Sequence, residues 1–244
     1  MHDTHFHLDL YPSRQAVLEE TERAGIYTIA VTNAPSVFKI TQDLVRGKKY
    51  WRAALGLHPE LVASHGGELQ LFRSLLPETK YVGEVGLDYS IGTSEEKATQ
   101  RKIFGEIVEL CESNGGRIVT IHSRRAEKDV VATLENKPRS AFILHWYSGS
   151  LSSLKKAGEL GVWLSVNTAM AKSTKAHALV DSVPRHKILL ESDGPFINVS
   201  GHPARPINVS MVVAWLSTLW CISEPETVQQ LQSNFRNLLS VVDK

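Results

Sequence analysis

Along the chain, short apolar and β-branched runs alternate with longer segments whose apolar positions recur every three or four residues. The runs YTIAVT (27–32), WRAALGL (51–57), KYVGEVGL (80–87), RIVTIH (117–122), AFILHW (141–146), VWLSV (162–166) and KILLES (187–192) read as strands, with DTHFHL at the start as an eighth. Between them, 13–25 carries helical spacing and a stop at Gly25. The stretch 95–115 places Phe104, Ile107, Val108 and Cys111 on one stripe and ends at Gly115. A third helix over 150–161 has Ser150 as its cap, Leu151 and Leu154 facing inward and Gly161 as its end. Two more helices are expected near 206–220 and 224–240, and the region 165–185 carries no firm assignment.

Strand–helix alternation over 244 residues is the length and rhythm of a (β/α)8 TIM barrel. An open doubly wound sheet alternates too, but it usually carries a glycine-rich phosphate turn after an early strand, and none follows any strand here. With no repeat and no low-complexity linker, residues 1–244 read as one domain.

Composition narrows the classes. The chain is 42% hydrophobic and 22% charged, as soluble globular proteins are. Its formal net charge of +1 supplies no global field for nucleic acid or anionic lipid, so polyanion binding would need a local patch or a metal. Cys111 and Cys221 form neither a disulfide framework nor a thiolate cluster and suit a reducing compartment. The sequence shows no signal-peptide pattern and no run of about 18 apolar residues, so a cytoplasmic protein without a membrane partner is expected.

Barrel chemistry sits at the C-terminal ends of strands. There the first strand offers His5 and His7, the third His58, the fourth Glu84, the fifth His122, the sixth His145 and the eighth Glu191 and Asp193. His5 and His7, two residues apart, share a strand face about 6.6 Å from each other along the chain. Glu84 in an apolar strand needs a cation or a hydrogen-bond cage, because an unpaired buried carboxylate is costly. Imidazoles and carboxylates together suit Zn, Mn, Fe or Co better than Ca, which takes oxygen ligands. This set is expected to hold two divalent ions (Zn, Mn, Mg or similar). His5, His7, Asp193 and a bridging Glu84 would take one, and His122 and His145 the second. A water acidified to a pKa of about 7 would then attack, with Asp193 as proton acceptor.

The segments DTHFHLDL, GLHP, GEVGLDY with Gln100 and Phe104, IHSR, LHWYSG and LESDGP resemble, in order and spacing, the motifs of TatD-family metal-dependent hydrolases from about residue 3 to residue 195. The resemblance implies a TIM barrel, a divalent metal centre and phosphodiesterase chemistry of the 3′–5′ deoxyribonuclease kind. It makes His5, His7, Glu84, His122, His145 and Asp193 the ligand positions. Two departures stand out: Arg125 occupies a place where many members have aspartate, and 196–210 is divergent and shortened where the family carries a basic segment. The wording LGLHPEL, LLPETKYVGEVGLD, IHSRRA and ESDGPF most resembles the QatD branch, the TatD-like component of Qat antiphage systems, which would imply Qat partner proteins.

Substrate contacts are expected from His58, Arg124, Trp146, His202 and Arg205. An arginine beside His122 can hold a phosphate, an aromatic after His145 can stack on a base, and His202 and Arg205 can stand in for the family's basic segment. His2 falls out of phase with His5 and should point away from the site. A metal-dependent amidohydrolase or lactonase acting on a small molecule is the main rival reading, and a non-catalytic binding subunit the other. Retention of every ligand argues against the second.

Overall fold

The computed structural model describes residues 1–242. Among them, eight parallel strands form the expected barrel: β1 (His2–Phe6), β2 (Tyr27–Ala30), β3 (Trp51–Ala53), β4 (Tyr81–Gly86), β5 (Ile118–His122), β6 (Ala141–Leu144), β7 (Trp163–Val166) and β8 (Ile188–Leu190). They pair as β1-β2-β3 and as β4 through β8 in order. Leu55 bridges the first seam, donating to the Tyr81 carbonyl at 3.0 Å and accepting from the Gly83 amide at 2.9 Å. At the second seam the Asp193 amide donates to the His5 carbonyl and the His7 amide to the Gly194 carbonyl, each at 3.0 Å.

Helices α1 (Arg14–Ala24), α2 (Pro35–Val45), α3 (Val62–His65), α4 (Leu69–Leu75), α5 (Ser94–Ser113), α6 (Glu127–Thr133), α7 (Leu151–Glu159), α8 (Thr174–Asp181), α9 (Val209–Trp220) and α10 (Glu224–Val241) complete the fold. A small antiparallel hairpin, β9 (Asn198–Val199) and β10 (His202–Pro203), follows β8. Gly25 takes the left-handed conformation that stops α1. Helix α5 starts from a capping box between Thr93 and Glu96, and its stripe Phe104, Ile107, Val108 and Cys111 is buried. The unassigned region 165–185 contains α8, capped by Ser173 and seated by Ala176, Leu179 and Val180.

One expectation is corrected. Leu151 is 43% exposed rather than inward-facing. It is the first residue after the Ser150 cap, and the inward stripe of α7 is carried by Leu154 and Ala157 instead.

Strand parity divides the core. The outward-facing Val119, Ile121, Phe142, Leu144, Leu164, Val166, Ile188 and Leu190 pack in one cluster with the helices. The opposite faces read Ile118–Thr120–His122, Ala141–Ile143–His145, Trp163–Ser165–Asn167 and Leu189–Glu191–Asp193. Their lower residues join Ile29, Val31 and Ala54 in a second cluster with Phe235 and Leu238 of α10. Each of these faces is apolar below and polar above. The polarity sits where barrel loops make an active face.

Candidate metal centre

Glu84 is the hub. It is 3% exposed, and its two oxygens face two groups of imidazoles. Oε2 lies 3.4 Å from both His5 Nε2 and His7 Nε2, which are 3.2 Å apart. Oε1 lies 2.8 Å from His122 Nδ1, 3.0 Å from His145 Nε2 and 3.3 Å from His58 Nε2. Asp193 Oδ1 stands 3.8 Å from His5 Nε2 and 3.7 Å from His7 Nε2. Close backbone packing seats the hub: a Cβ on Gly56 would meet the Thr32 carbonyl oxygen at 1.6 Å, and one on Gly83 would meet Thr120 Cγ2 at 2.1 Å.

Buried carboxylates and imidazoles support this arrangement from below and behind. His122 Nε2 is 2.8 Å from Asp88 Oδ2. His5 Nδ1 is 2.7 Å from the Thr120 hydroxyl. His145 Nδ1 stands 3.6 Å from Glu191 Oε2, an ion-pair contact rather than a hydrogen bond. Glu191 is wholly buried, and it accepts from Asn167 Nδ2 at 2.7 Å, from the Trp146 amide at 3.0 Å and from the Ser165 hydroxyl. Asp3 accepts from the His5 and Ser192 amides and from the Ser192 hydroxyl, tying β1 to the end of β8.

Charge follows from these contacts. Burial alone would push the Glu84 carboxyl up, but His58, His145, His5 and the His122 hydrogen bond outweigh it and hold Glu84 well below the usual range. Burial opposes the charged form of His122, yet the Asp88 and Glu84 bonds raise it to about 9. Glu191 and Glu84 likewise overcome burial and raise His145 well above its ordinary value. Burial and the neighbouring His145 keep His5 well below. Burial also lifts Asp193 well above the carboxylate range, with Glu191, Glu84 and Asp3 adding to it against the pull of His145.

The donor set fits divalent cations. His5, His7 and Glu84 form one group whose ligand atoms converge; His5, His145 and Asp193 form a second, and His58, Glu84 and His122 a third. Mixed imidazole and carboxylate donors of this kind suit Zn, Mn, Fe or Co. All six residues expected as ligands meet at one place. Sequence reasoning gave His58 a substrate contact, whereas here it shares Glu84 Oε1 with His122 and His145. Asp88 stood in a quoted motif without a role, and Glu191 was offered at the end of the eighth strand without being assigned to either ion. Only their burial and partners single them out.

The expected substrate contacts divide. His122, Ser123, Arg124, His145, Trp146 and Ser148 line a cavity of about 310 Å³ at the cluster. Arg205 instead turns 3.4 Å from Glu20 of α1, and His202 is exposed on the hairpin without a contact to the cluster among the described residues. The segment 196–210 reaches the site through Phe196, 58% exposed and edge-on to His7 with ring centroids 4.9 Å apart. His2 stays out of the site, though not by phase: the register of β1 shifts between Asp3 and Phe6, and His2 sits beside Tyr27 at the lower end of the barrel, where its ring stacks on Phe235 and its Nε2 accepts from the Leu190 amide.

A closed barrel whose strand ends gather histidines around a shared carboxylate defines a metal-dependent hydrolase. The chain belongs to the TatD-related DNase family, whose profile matches residues 2–240. It is 28% identical to the uncharacterized metal-dependent hydrolase YjjV of Escherichia coli over 98% of this chain and 97% of that protein. The YjjV crystal structure superposes with a TM-score of 0.87 over 98% of this chain and 97% of that one. Human deoxyribonuclease TATDN3 is 25% identical over 95% of this chain and 92% of its own length. A yeast protein described as an uncharacterized amidohydrolase, 15% identical, shares the fold over 97% of this chain and 99% of its own with a TM-score of 0.81.

Proposed function

We infer that the protein is a phosphodiesterase that shortens DNA strands in the 3′–5′ direction, using two divalent ions and an activated water. The observation that carries this reading is the division of Glu84 between its two oxygens, one facing His5 and His7 and the other His58, His122 and His145. A carboxylate placed in this way suits a bridge between two cations. When bound, such ions supply positive charge for the developing phosphate oxygens and acidify a water.

The chain's own residues supply the rest. His5, His7, Asp193 and Glu84 would hold one ion, and His122 and His145 with Glu84 would hold the other. Asp193, ionised when it faces a cation, would accept the proton of the attacking water at Oδ1, which stands 3.8 Å from His5 Nε2 and 3.7 Å from His7 Nε2. His58 and Arg124 contact the scissile phosphate, and Trp146, 37% exposed beside His145, offers a face for the terminal base. The nuclease names of TatD-family relatives, human TATDN3 among them, support the substrate class.

Metal-loaded protein offered end-labelled single- and double-stranded DNA beside ester and lactone panels tests the reading. Progressive shortening from the 3′ end is expected, and lactone turnover without phosphodiester cleavage would overturn it. A cytoplasmic role inside a Qat-type antiphage assembly is the narrower proposal, supported by the motif wording. Recovery of the tagged chain from its host without Qat proteins would refute it.

A further inference from the structure

We propose that the groove beside the metal centre, walled by Arg124, Arg125 and Lys175, is a second anion subsite that holds the next phosphate of a single-stranded nucleic acid chain. It rests on the phosphodiesterase reading and extends it from the bond that is cut to the strand that is held. The 310 Å³ cavity at the metal cluster is at the small end of ligand pockets, where one nucleotide-sized group fits and a duplex does not. Arg124 and Ser148 line both this cavity and a neighbouring groove of about 650 Å³, so the two spaces adjoin across these side chains. A strand with one residue in the cavity has this groove beside it.

The groove's charge is local, in a protein whose net charge is only +1. Arg124, Arg125 and Lys175 line it against one carboxylate, Glu127, which already accepts from the Ser150 amide at 3.2 Å. Neither arginine side chain has an ion-pair or hydrogen-bond partner among the described residues, and Lys175 Nζ spends one bond on the Ser148 carbonyl at 2.6 Å. Arg125 sits at φ 55°, a left-handed conformation that side chains adopt reluctantly, where glycine would be the unstrained choice. Trp146, its amide held by Glu191, lines the cavity beside Arg124 and Ser148 and can stack the base held there.

The test is binding of phosphorothioate thymidine oligomers, which resist cleavage, to metal-loaded protein and to the double variant R125E/K175E, followed by anisotropy. The octamer is expected to bind the variant at least about tenfold more weakly, with the salt slope of log K reduced by about 0.7 for each phosphate that the variant no longer neutralises. A dinucleotide should change less than twofold. Equal weakening of both oligomers, or of neither, would overturn the proposal, and thermal melting establishes that the variant is folded. Because binding is read without turnover, a wild-type protein that binds the octamer in this pattern but cleaves no DNA defeats the phosphodiesterase reading, not the groove. One that cleaves DNA with affinity independent of length defeats the groove alone.

Discussion

The lower and upper halves of the barrel interior are built from the same strand faces, yet they obey opposite rules. Below, Ile118, Ala141, Trp163 and Leu189 meet Phe235 and Leu238 of α10 in a dry apolar layer. Four residues further along the same faces, His145, Asn167 and Asp193 are nearly as buried, and His122 is half-buried. The lower layer stabilises by removing apolar surface from water. The upper layer gathers groups that burial penalises, and each is tolerated through its partners. Two histidines of β1 show the contrast within a few residues: His2 is held neutral by burial at a pKa of about 3 and accepts one backbone bond, whereas His5 faces Glu84. Residue type alone does not make a site, and the identity of the neighbours does.

The contrast between the halves breaks most sharply at the hub. Glu84→Ala should lower turnover by about a thousandfold or more and strip the metal, since both cation groups lose their shared carboxylate. Elemental analysis beside a turnover assay reads both quantities, and wild-type turnover with full metal content would show that Glu84 is no bridge. One step outward, Glu191→Gln keeps the shape but removes the charge beside His145 and weakens the hold on Trp146. A loss of about 10- to 100-fold in metal affinity is expected, measured by competition with a chromophoric chelator. An unchanged affinity would reduce Glu191 to a packing residue.

The smallest effect is expected in the lower half. Between pH 6.5 and about 3 the unfolded chain protonates His2 while the native chain does not, so the stability gained by keeping it neutral is complete above 6.5 and drains away as pH falls towards 3. When the pH is lowered from about 7.5 to about 5, the wild type should lose about 2 kcal/mol that His2→Gln does not lose, at about 1.36 kcal/mol for each of the roughly 1.5 pH units below the ordinary histidine value. Urea unfolding of both proteins at the two pH values measures the difference. Parallel losses would mean that His2 is not held neutral.

Much of this was legible in the sequence, for a local reason. The period-two alternation of a strand fixes which side chains share a face, so His5 with His7 follows from spacing alone. His2 is kept from the site by its place at the lower end of the barrel beside Phe235, beyond a register shift in β1 that alternation does not foresee. Strand–helix rhythm fixes the barrel, and a barrel places chemistry at its strand ends, which brought His122, His145, Glu84 and Asp193 into view. Local patterning was weaker where a helix begins, as Leu151 shows, and where no strong stripe exists, as at α8.

What lies across the mouth was settled by closure of the barrel. Nothing in the spacing of 58, 84, 122 and 145 says that three imidazoles share one oxygen of Glu84 while His5 and His7 take the other, because those distances depend on how eight strands close and stagger. Closure also brought Asp88 to His122, Glu191 to His145 and Phe196 over His7, and it turned Arg205 away to Glu20. Order and spacing along the chain were enough for the barrel and for the inventory of side chains that gather at its mouth. Which atoms face each other was left to the fold, since burial, partner and charge are properties of a neighbourhood assembled from residues far apart in the chain.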